Sequence, residues 1–69
     1  PQGFCFAGEV GLSGEVRPVQ KLDQKINEAE RMGLTTIFIS KYAKYTASNQ
    51  LRINIIQVIK IEELLDIFN

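Results

Sequence analysis

The sequence predicts an α/β fold with a mixed sheet and elements in the order β-β-α-β-β-α. Three observations support this prediction. A glycine-rich turn separates two short β-prone runs, an amphipathic stripe of helical period follows, and two apolar runs rich in β-branched residues precede a second helical stripe. The chain has 69 residues, 45% of them hydrophobic, which suits one domain with a small core. We therefore expect residues 1–69 to belong to a single domain.

The first two strands are predicted to form a β-hairpin around Gly11 and Gly14. Residues Phe4 to Val10 alternate between two faces, as a strand does. The following Gly-Leu-Ser-Gly turn contains glycines, which tolerate positive φ, and a serine that can bond its neighbours. The second strand must weaken or end at Pro18, because proline has no N–H to donate to a sheet. We assign Gly11 and Gly14 a structural role in this turn.

The first helix is predicted from Val19 or Gln20 to about Met32. Its apolar residues fall on one stripe: Leu22, Ile26, Ala29 and Met32. Gly33 suits the left-handed position that ends many helices. A second helical stripe consists of Ile61, Leu64, Leu65 and Phe68. Because Lys60 is a poor N-cap, the start of this second helix is expected to fray.

The later strands are predicted from Thr35 to Ser40 and from Arg52 to Val58. The first contains an uninterrupted apolar run, which is typical of a strand covered on both faces. Between them, Lys41 to Gln50 is expected to be irregular, with a short helical turn at Tyr42 to Tyr45. The side chains expected to be buried are Leu22, Ile26, Ile37, Ile39, Ile55 and Leu64.

The charge balance gives no overall electrostatic case for binding nucleic acid or an anionic membrane, since eight basic and eight acidic residues cancel. A contact would need a local patch. One candidate for DNA contact is Arg17, Lys21 and Lys25, which can align at the exit of the hairpin and along the helix. The alternative is a solvated face balanced by neighbouring acids. A second basic stretch follows the third strand and contains two lysines and two tyrosines, in which the tyrosines either stack on bases or cover an edge of the core.

Several classes of site are excluded by the residue counts. Cys5 is the only cysteine and histidine is absent, so an internal disulfide or a Cys/His zinc cluster cannot form. We expect Cys5 to be a small buried apolar residue rather than a redox group. No apolar run is long enough for a membrane span, and no signal-peptide pattern occurs. Since the chain starts at Pro1 without a methionine, we expect it to be a piece of something longer.

The segment from Gly8 to Val19, with its Arg-Pro-Val exit and the helix end at Glu28-Ala29…Gly33, resembles the C-terminal Lon-protease-like domain of the RadA (Sms) family of bacterial DNA-repair ATPases. The resemblance runs from about Phe4 to Phe68. It implies a ribosomal protein S5 domain 2-like fold, incomplete here. It also implies a cytoplasmic, ATP-dependent DNA motor that acts on recombination intermediates, in which this domain holds subunits in a hexameric ring and contacts DNA. ATP, Mg and Zn would bind only in upstream domains, so no cofactor, metal or catalytic residue is assigned within this chain.

Asp23 separates this chain from the active peptidases of the Lon class. Those enzymes use a Ser-Lys dyad whose lysine takes the proton of the serine hydroxyl. The resemblance places the serine upstream of this chain and the lysine at the position of Asp23, where a carboxylate stands. Lys21 and Lys25 are displaced around the helix from that position. A fragment of an active Lon-family peptidase and a chelatase-like ATPase carrying the same domain are the alternatives.

Overall fold

The computed structural model describes residues 3–46 and 52–68. Its elements run in the order β1 (Phe4–Ala7), β2 (Glu9–Val10), β3 (Val16–Arg17), α1 (Leu22–Arg31), β4 (Thr36–Ser40), β5 (Asn54–Val58) and α2 (Glu62–Phe68). The predicted α/β class is confirmed, and both parallel and antiparallel strand pairs are present. They lie in two sheets: a three-stranded parallel sheet with the order β1-β4-β5, and the two-stranded hairpin β2-β3.

The predicted first strand is wrong in one respect, because it breaks at Gly8 into β1 and β2, which belong to different sheets. The break lies where the hairpin passes close to the parallel sheet. A Cβ on Gly8 would lie 2.8 Å from Cγ1 of Val16 and 3.0 Å from the ring of Phe6. Only glycine leaves room for this close approach, so the chain can bend here and start a second sheet.

The parallel sheet is covered on both faces. On one face α1 packs over a cluster of buried residues: Leu22, Ile26, Ala29, Ile37, Ile39 and Ile53. On the other face a second cluster contains Val16, Phe38 and Val58, with Phe4, Ile61 and Leu64 partly buried against it. The predicted burial of Leu22, Ile26, Ile37 and Ile39 is confirmed. Ile55 and Leu64 are only partly buried, so their predicted burial is confirmed only in part. Ile55 lies on β5, an edge strand, where no further strand covers it within the described residues.

Helix α1 starts at Leu22, later than predicted, because Lys21 before it has a left-handed backbone (φ 57°) that does not belong to a helix. Its end follows the prediction. Gly33 has a φ of 81°, and its N–H donates to the carbonyl of Glu30 at 3.0 Å. The N–H of Leu34 donates to the carbonyl of Ala29 at 3.1 Å, which completes a Schellman motif.

The backbone before α2 is capped by the carboxylate of Glu63, a residue within the helix. Oε2 of Glu63 accepts hydrogen bonds from the backbone N–H of Ile59 at 2.5 Å and of Lys60 at 2.6 Å. Glu63 therefore reaches backward to two donors that precede the helix, as the acid of a capping box does. The side chain of Lys60 is a poor cap, and the carboxylate of Glu63, which accepts from the N–H of Lys60, was not predicted.

The segment after β4 contains no helical turn at Tyr42 to Tyr45, so that prediction is wrong. The N–H of Ala43 instead donates to the carbonyl of Ser40 at 3.1 Å and closes a turn directly after the strand. The hydrogen bonds of this segment run to neighbouring elements rather than within a helix. The rest of the stretch predicted to be irregular, residues 47–50, lies outside the described residues.

Candidate functional site

The hairpin loop is organised around the carboxylate of Glu15. Its Oε1 accepts hydrogen bonds from the N–H and the hydroxyl of Ser13, both at 3.2 Å, and its Oε2 lies 3.4 Å from Nη2 of Arg17. Hydrogen bonds from its own backbone N–H, from Ser13 and from Arg17 lower the pKa of the Glu15 carboxyl. A Cβ on Gly11 would collide with this carboxylate, whereas Gly14 has a positive φ of 83°. The two glycines thus serve the turn in different ways.

The hairpin also contacts the junction between β5 and α2. The N–H of Val16 donates to the carbonyl of Ile59, and the N–H of Ile61 donates to the carbonyl of Gly14, both at 2.8 Å. These bonds hold the loop against the last part of the described chain. The side chain of Leu12, at the tip, is completely exposed.

The three candidate DNA-contact residues are all exposed, but the structure does not give them equal freedom. Arg17 is paired with Glu15 and lies opposite Glu9 in the hairpin. Lys21 and Lys25 are one helical turn apart at the start of α1, where the N–H of Lys25 donates to the carbonyl of Lys21 at 3.2 Å. Within the described ranges neither lysine has an ion pair. The available positive charge is therefore on the helix rather than on the hairpin.

Asp23, at the position expected for a dyad lysine, has a structural partner. Its Oδ1 accepts a hydrogen bond from the backbone N–H of Thr46 at 2.8 Å. Two turns further along α1, Oε2 of Glu30 accepts from the N–H of Arg52 at 2.6 Å and of Ile53 at 3.4 Å. Carboxylates of α1 therefore bind the backbone of both described parts of the connection between β4 and β5, the part after β4 and the part before β5. Sequence reasoning missed these contacts because they join residues more than twenty positions apart.

The hydroxyl groups of the described serines, Ser13 and Ser40, have hydrogen-bond partners within the fold, and none of those partners is a lysine side chain. Ser40 is completely buried, and its hydroxyl donates to the carbonyl of Val16 at 2.9 Å and accepts from the N–H of Tyr42 at 3.1 Å. The hydroxyl of Ser13 donates to Glu15. Neither arrangement resembles a nucleophile beside a general base.

Cys5 is partly rather than fully buried, and its Sγ lies 3.7 Å from the carbonyl of Thr36. Burial raises the pKa of the Cys5 thiol, which disfavours the reactive thiolate. Cys5 lines a mainly apolar groove of about 380 Å³ between β1 and α1, together with Ala7, Val19 and Ile37. Among residues 3–46 and 52–68 no group of three acidic or sulfur ligands could hold a metal ion, and no helix there is long and apolar enough to cross a membrane.

These features define a small α/β module in which the described side chains assemble no Ser-Lys pair. No family model matches the chain. Over 61 residues, 88% of its length, it is 41% identical to the DNA repair protein RadA of Streptococcus pneumoniae, and it spans 14% of that protein. It is 49% identical to the RadA proteins of Listeria monocytogenes over 37 residues (54% of the chain and 8% of the relative) and of Bacillus subtilis over 35 residues (51% and 8%). The chain belongs to the RadA family of DNA repair proteins.

Proposed function

We propose that this chain is a non-catalytic, C-terminal Lon-like part of a cytoplasmic, ATP-dependent RadA-type protein of DNA repair and recombination, and that it helps to assemble the parent into a hexameric ring. The main support is that the parallel sheet has two open edges, although its faces are covered. Both β1 and β5 are edge strands within the described part of the chain. An edge strand offers unpaired N–H and C=O groups to another chain.

The side chains at the two edges strengthen this argument. Phe6, Phe38 and Ile56 form one row across the sheet. Phe38 is buried, but Phe6 on β1 and Ile56 on β5 are 37% and 36% exposed. The apolar row therefore extends to both edges without being closed, as expected of a sheet completed by further protein.

Helix α2 adds two exposed apolar side chains, which lie on different sides of the helix because positions i and i+2 do not face each other. Leu65 is 63% exposed and Ile67 is 45% exposed. Leu65, the more exposed of the two, is the side chain that a neighbouring subunit would cover in this proposal. Because the net charge of the chain is zero, copies of this segment would approach one another without overall repulsion.

In this proposal ATP, Mg and Zn bind to parts of the parent outside this segment. The segment lacks the Gly-Lys-Ser/Thr sequence of a phosphate loop, and its glycines serve the hairpin and a helix end. Its role is therefore to position subunits, while nucleotide chemistry takes place elsewhere.

The test uses a full-length RadA-family protein that carries this segment. We expect Leu65→Glu to shift the protein from hexamer toward smaller species in analytical ultracentrifugation, because a carboxylate would be placed in an apolar contact. Asp66→Asn, a change at the adjacent exposed position, is the matched control and should leave the hexamer intact. Deletion of residues 4–69 should also weaken assembly more than nucleotide binding. A hexamer that survives both the deletion and Leu65→Glu would refute the scaffold role.

Direct DNA contact by Arg17, Lys21 and Lys25 is a second candidate function, favoured by the two exposed lysines without ion pairs. In this case Lys21→Ala or Lys25→Ala would weaken DNA binding and reduce its salt dependence by about one phosphate contact each, with the ring intact. Arg17→Ala should have a smaller effect, since the carboxylate of Glu15 already neutralises part of the charge of Arg17.

The alternative of a Lon-family peptidase is less well supported, because Asp23 is bonded to the Thr46 backbone and no lysine stands in its place. A casein-cleavage assay on the full-length protein tests it. Cleavage that disappears when the upstream serine is changed would favour the peptidase, whereas DNA-stimulated ATP hydrolysis without cleavage would favour the DNA motor.

A further inference from the structure

The outer edge of β5 is open over a short and well-defined stretch. The N–H of Asn54 and the carbonyl of Val58 bond to the backbone at the two ends of β4, each at 2.8 Å. Because backbone groups alternate in direction along a strand, every second residue from Asn54 to Val58 points its N–H and C=O toward β4. Ile55 and Gln57 point theirs outward, and within the described ranges no hydrogen bond reaches them.

Both ends of this open stretch are closed by other elements. Before it, the N–H of Ile53 donates to Oε2 of Glu30 at 3.4 Å. After it, the carbonyl of Ile59 accepts from the N–H of Val16 in the hairpin at 2.8 Å. The groups left for another strand are therefore the N–H and C=O of the two outward residues between these points.

Residues 53–59 lack the features with which proteins usually block an open edge. The sequence Ile-Asn-Ile-Ile-Gln-Val-Ile contains no charged residue, proline or glycine. Strands of high β-propensity and low charge are those that pair with copies of themselves. Ile56, at the centre of the stretch, is 36% exposed.

We propose that β5 pairs with β5 of a second copy, antiparallel and centred on Ile56. Ile55 of each copy then lies opposite Gln57 of the other, and each such pair exchanges two N–H···O bonds. All the outward groups are thereby paired. Ile56 faces its counterpart across a two-fold axis, so the row of Phe6, Phe38 and Ile56 continues into the other copy and the exposed Ile56 side chains cover each other.

The closed ends select this register. A shift of two residues one way would place Gln57 opposite Ile53, whose N–H is bonded to Glu30. A shift the other way would place Ile55 opposite Ile59, whose carbonyl is bonded to the hairpin. A shift of one residue would set outward groups opposite residues that point toward β4.

Charges near the ends of the pairing are balanced. The register brings Arg52 of one copy near Lys60 of the other, but each is accompanied by a carboxylate. Oε2 of Glu30 accepts from the N–H of Arg52 and Oε2 of Glu63 from the N–H of Lys60, both at 2.6 Å. Neither end therefore carries excess positive charge against the other.

A two-fold contact joins copies in pairs, whereas rings close through head-to-tail contacts. This inference therefore rests on the proposed ring but goes beyond it: β5 joins two rings, and the β1 edge and α2 remain for contacts within a ring. Each contact is short, but a ring presents several at once, and linked contacts strengthen one another.

Sedimentation velocity of the full-length protein over a concentration series detects this contact as a doubling of mass. Gln57→Pro should abolish the doubling, because proline lacks the outward N–H and the ladder with β4 does not use it. Gln57→Thr keeps that N–H and is the matched control that should still double. Ile56→Lys, which sets two like charges opposite each other, should also abolish the doubling and does not depend on proline being tolerated.

A cysteine pair tests the register directly. Ile56→Cys should form a disulfide between copies on mild oxidation, because opposite residues in such a pair have Cα atoms about 4.5 Å apart, within disulfide reach. Asn54→Cys is the control and should not cross-link, because its two copies would lie roughly 13 Å apart at about 3.3 Å per residue. Cys5 is present in both variants.

The proposal is overturned if the mass of the unaltered protein does not double with concentration, if Ile56→Lys and Gln57→Pro double as it does, or if Asn54→Cys cross-links as readily as Ile56→Cys. Failure of the ring is a different result. In that case no hexamer forms, yet the smaller species still double and Ile56→Cys still cross-links them in pairs.

Discussion

The packing of α1 on the parallel sheet predicts a large effect for Ile26→Ala. Ile26 is 1% exposed and lies in the cluster with Leu22, Ile37 and Ile39. Truncation to a methyl group removes three carbons from this contact, which costs roughly 2 kcal/mol at about 0.8 kcal/mol per buried CH₂. The cavity left behind brings the loss to about 2–5 kcal/mol. At about 0.05–0.15 kcal/mol per residue, a chain of 69 residues has only about 3–10 kcal/mol in total.

Urea unfolding followed by far-UV circular dichroism measures this loss. Ile26→Val, which removes one methyl group, should lower the free energy of unfolding by about 0.5–1.5 kcal/mol and allow a full transition to be recorded even if the alanine variant unfolds. Met32→Ala, at the residue directly after this helix, which is 75% exposed, should have a much smaller effect. A loss for Ile26→Ala no larger than that for Met32→Ala would refute the packing described for α1.

Three further predictions concern turns, the connection after β4 and acid sensitivity. Gly14→Ala and Gly33→Ala should each lower the free energy of unfolding by about 1–2 kcal/mol, and with it the melting temperature, because both glycines have positive φ. An added Cβ has room at both sites, so the loss would come from the backbone conformation alone. Asp23→Ala should accelerate hydrogen exchange at the amide of Thr46, and Asp23→Asn should accelerate it less, because asparagine keeps an oxygen acceptor. Equal exchange rates in the two variants and the unaltered chain would contradict this hydrogen bond. The pKa of Glu63 is lower in the folded chain than its ordinary 4.5, so its carboxylate stabilises the fold fully above pH 4.5 and loses this effect as the pH falls through the pKa of the folded chain. In Glu63→Gln, the melting temperature should therefore depend less on pH below about 4.5.

The sequence predicted the elements whose signals are local. The stripe containing Leu22, Ile26 and Ala29 identified α1, and Gly33 marked its end, because helix periodicity and a left-handed C-terminal residue depend only on near neighbours. The break at Gly8 was not predicted, since alternation continues through it. It arises from the close approach of Val16, which only the folded chain reveals.

The candidate site was less predictable for the same reason. The exposed position of Lys25 follows from the helix period, but the left-handed backbone of Lys21 and the pairing of Arg17 with Glu15 do not. The bond between Asp23 and Thr46 joins two elements brought together by the sheet topology. Residue type indicated that Asp23 could not act as a dyad lysine, but not what it holds instead.

The attachment of the hairpin to Ile59 and Ile61 has a consequence for the order of folding. The hairpin can close on its own, since its strands are separated by only a few residues, and such closure takes microseconds. The bonds from Val16 to Ile59 and from Ile61 to Gly14 span more than forty residues and carry a much larger loop-closure entropy. On a ribosome, the hairpin would emerge long before this anchor and would have only its contacts with β4 until the last strand is released. Until then Val16 would be incompletely covered, and the nascent chain would be most vulnerable to proteases and to mispairing with another strand.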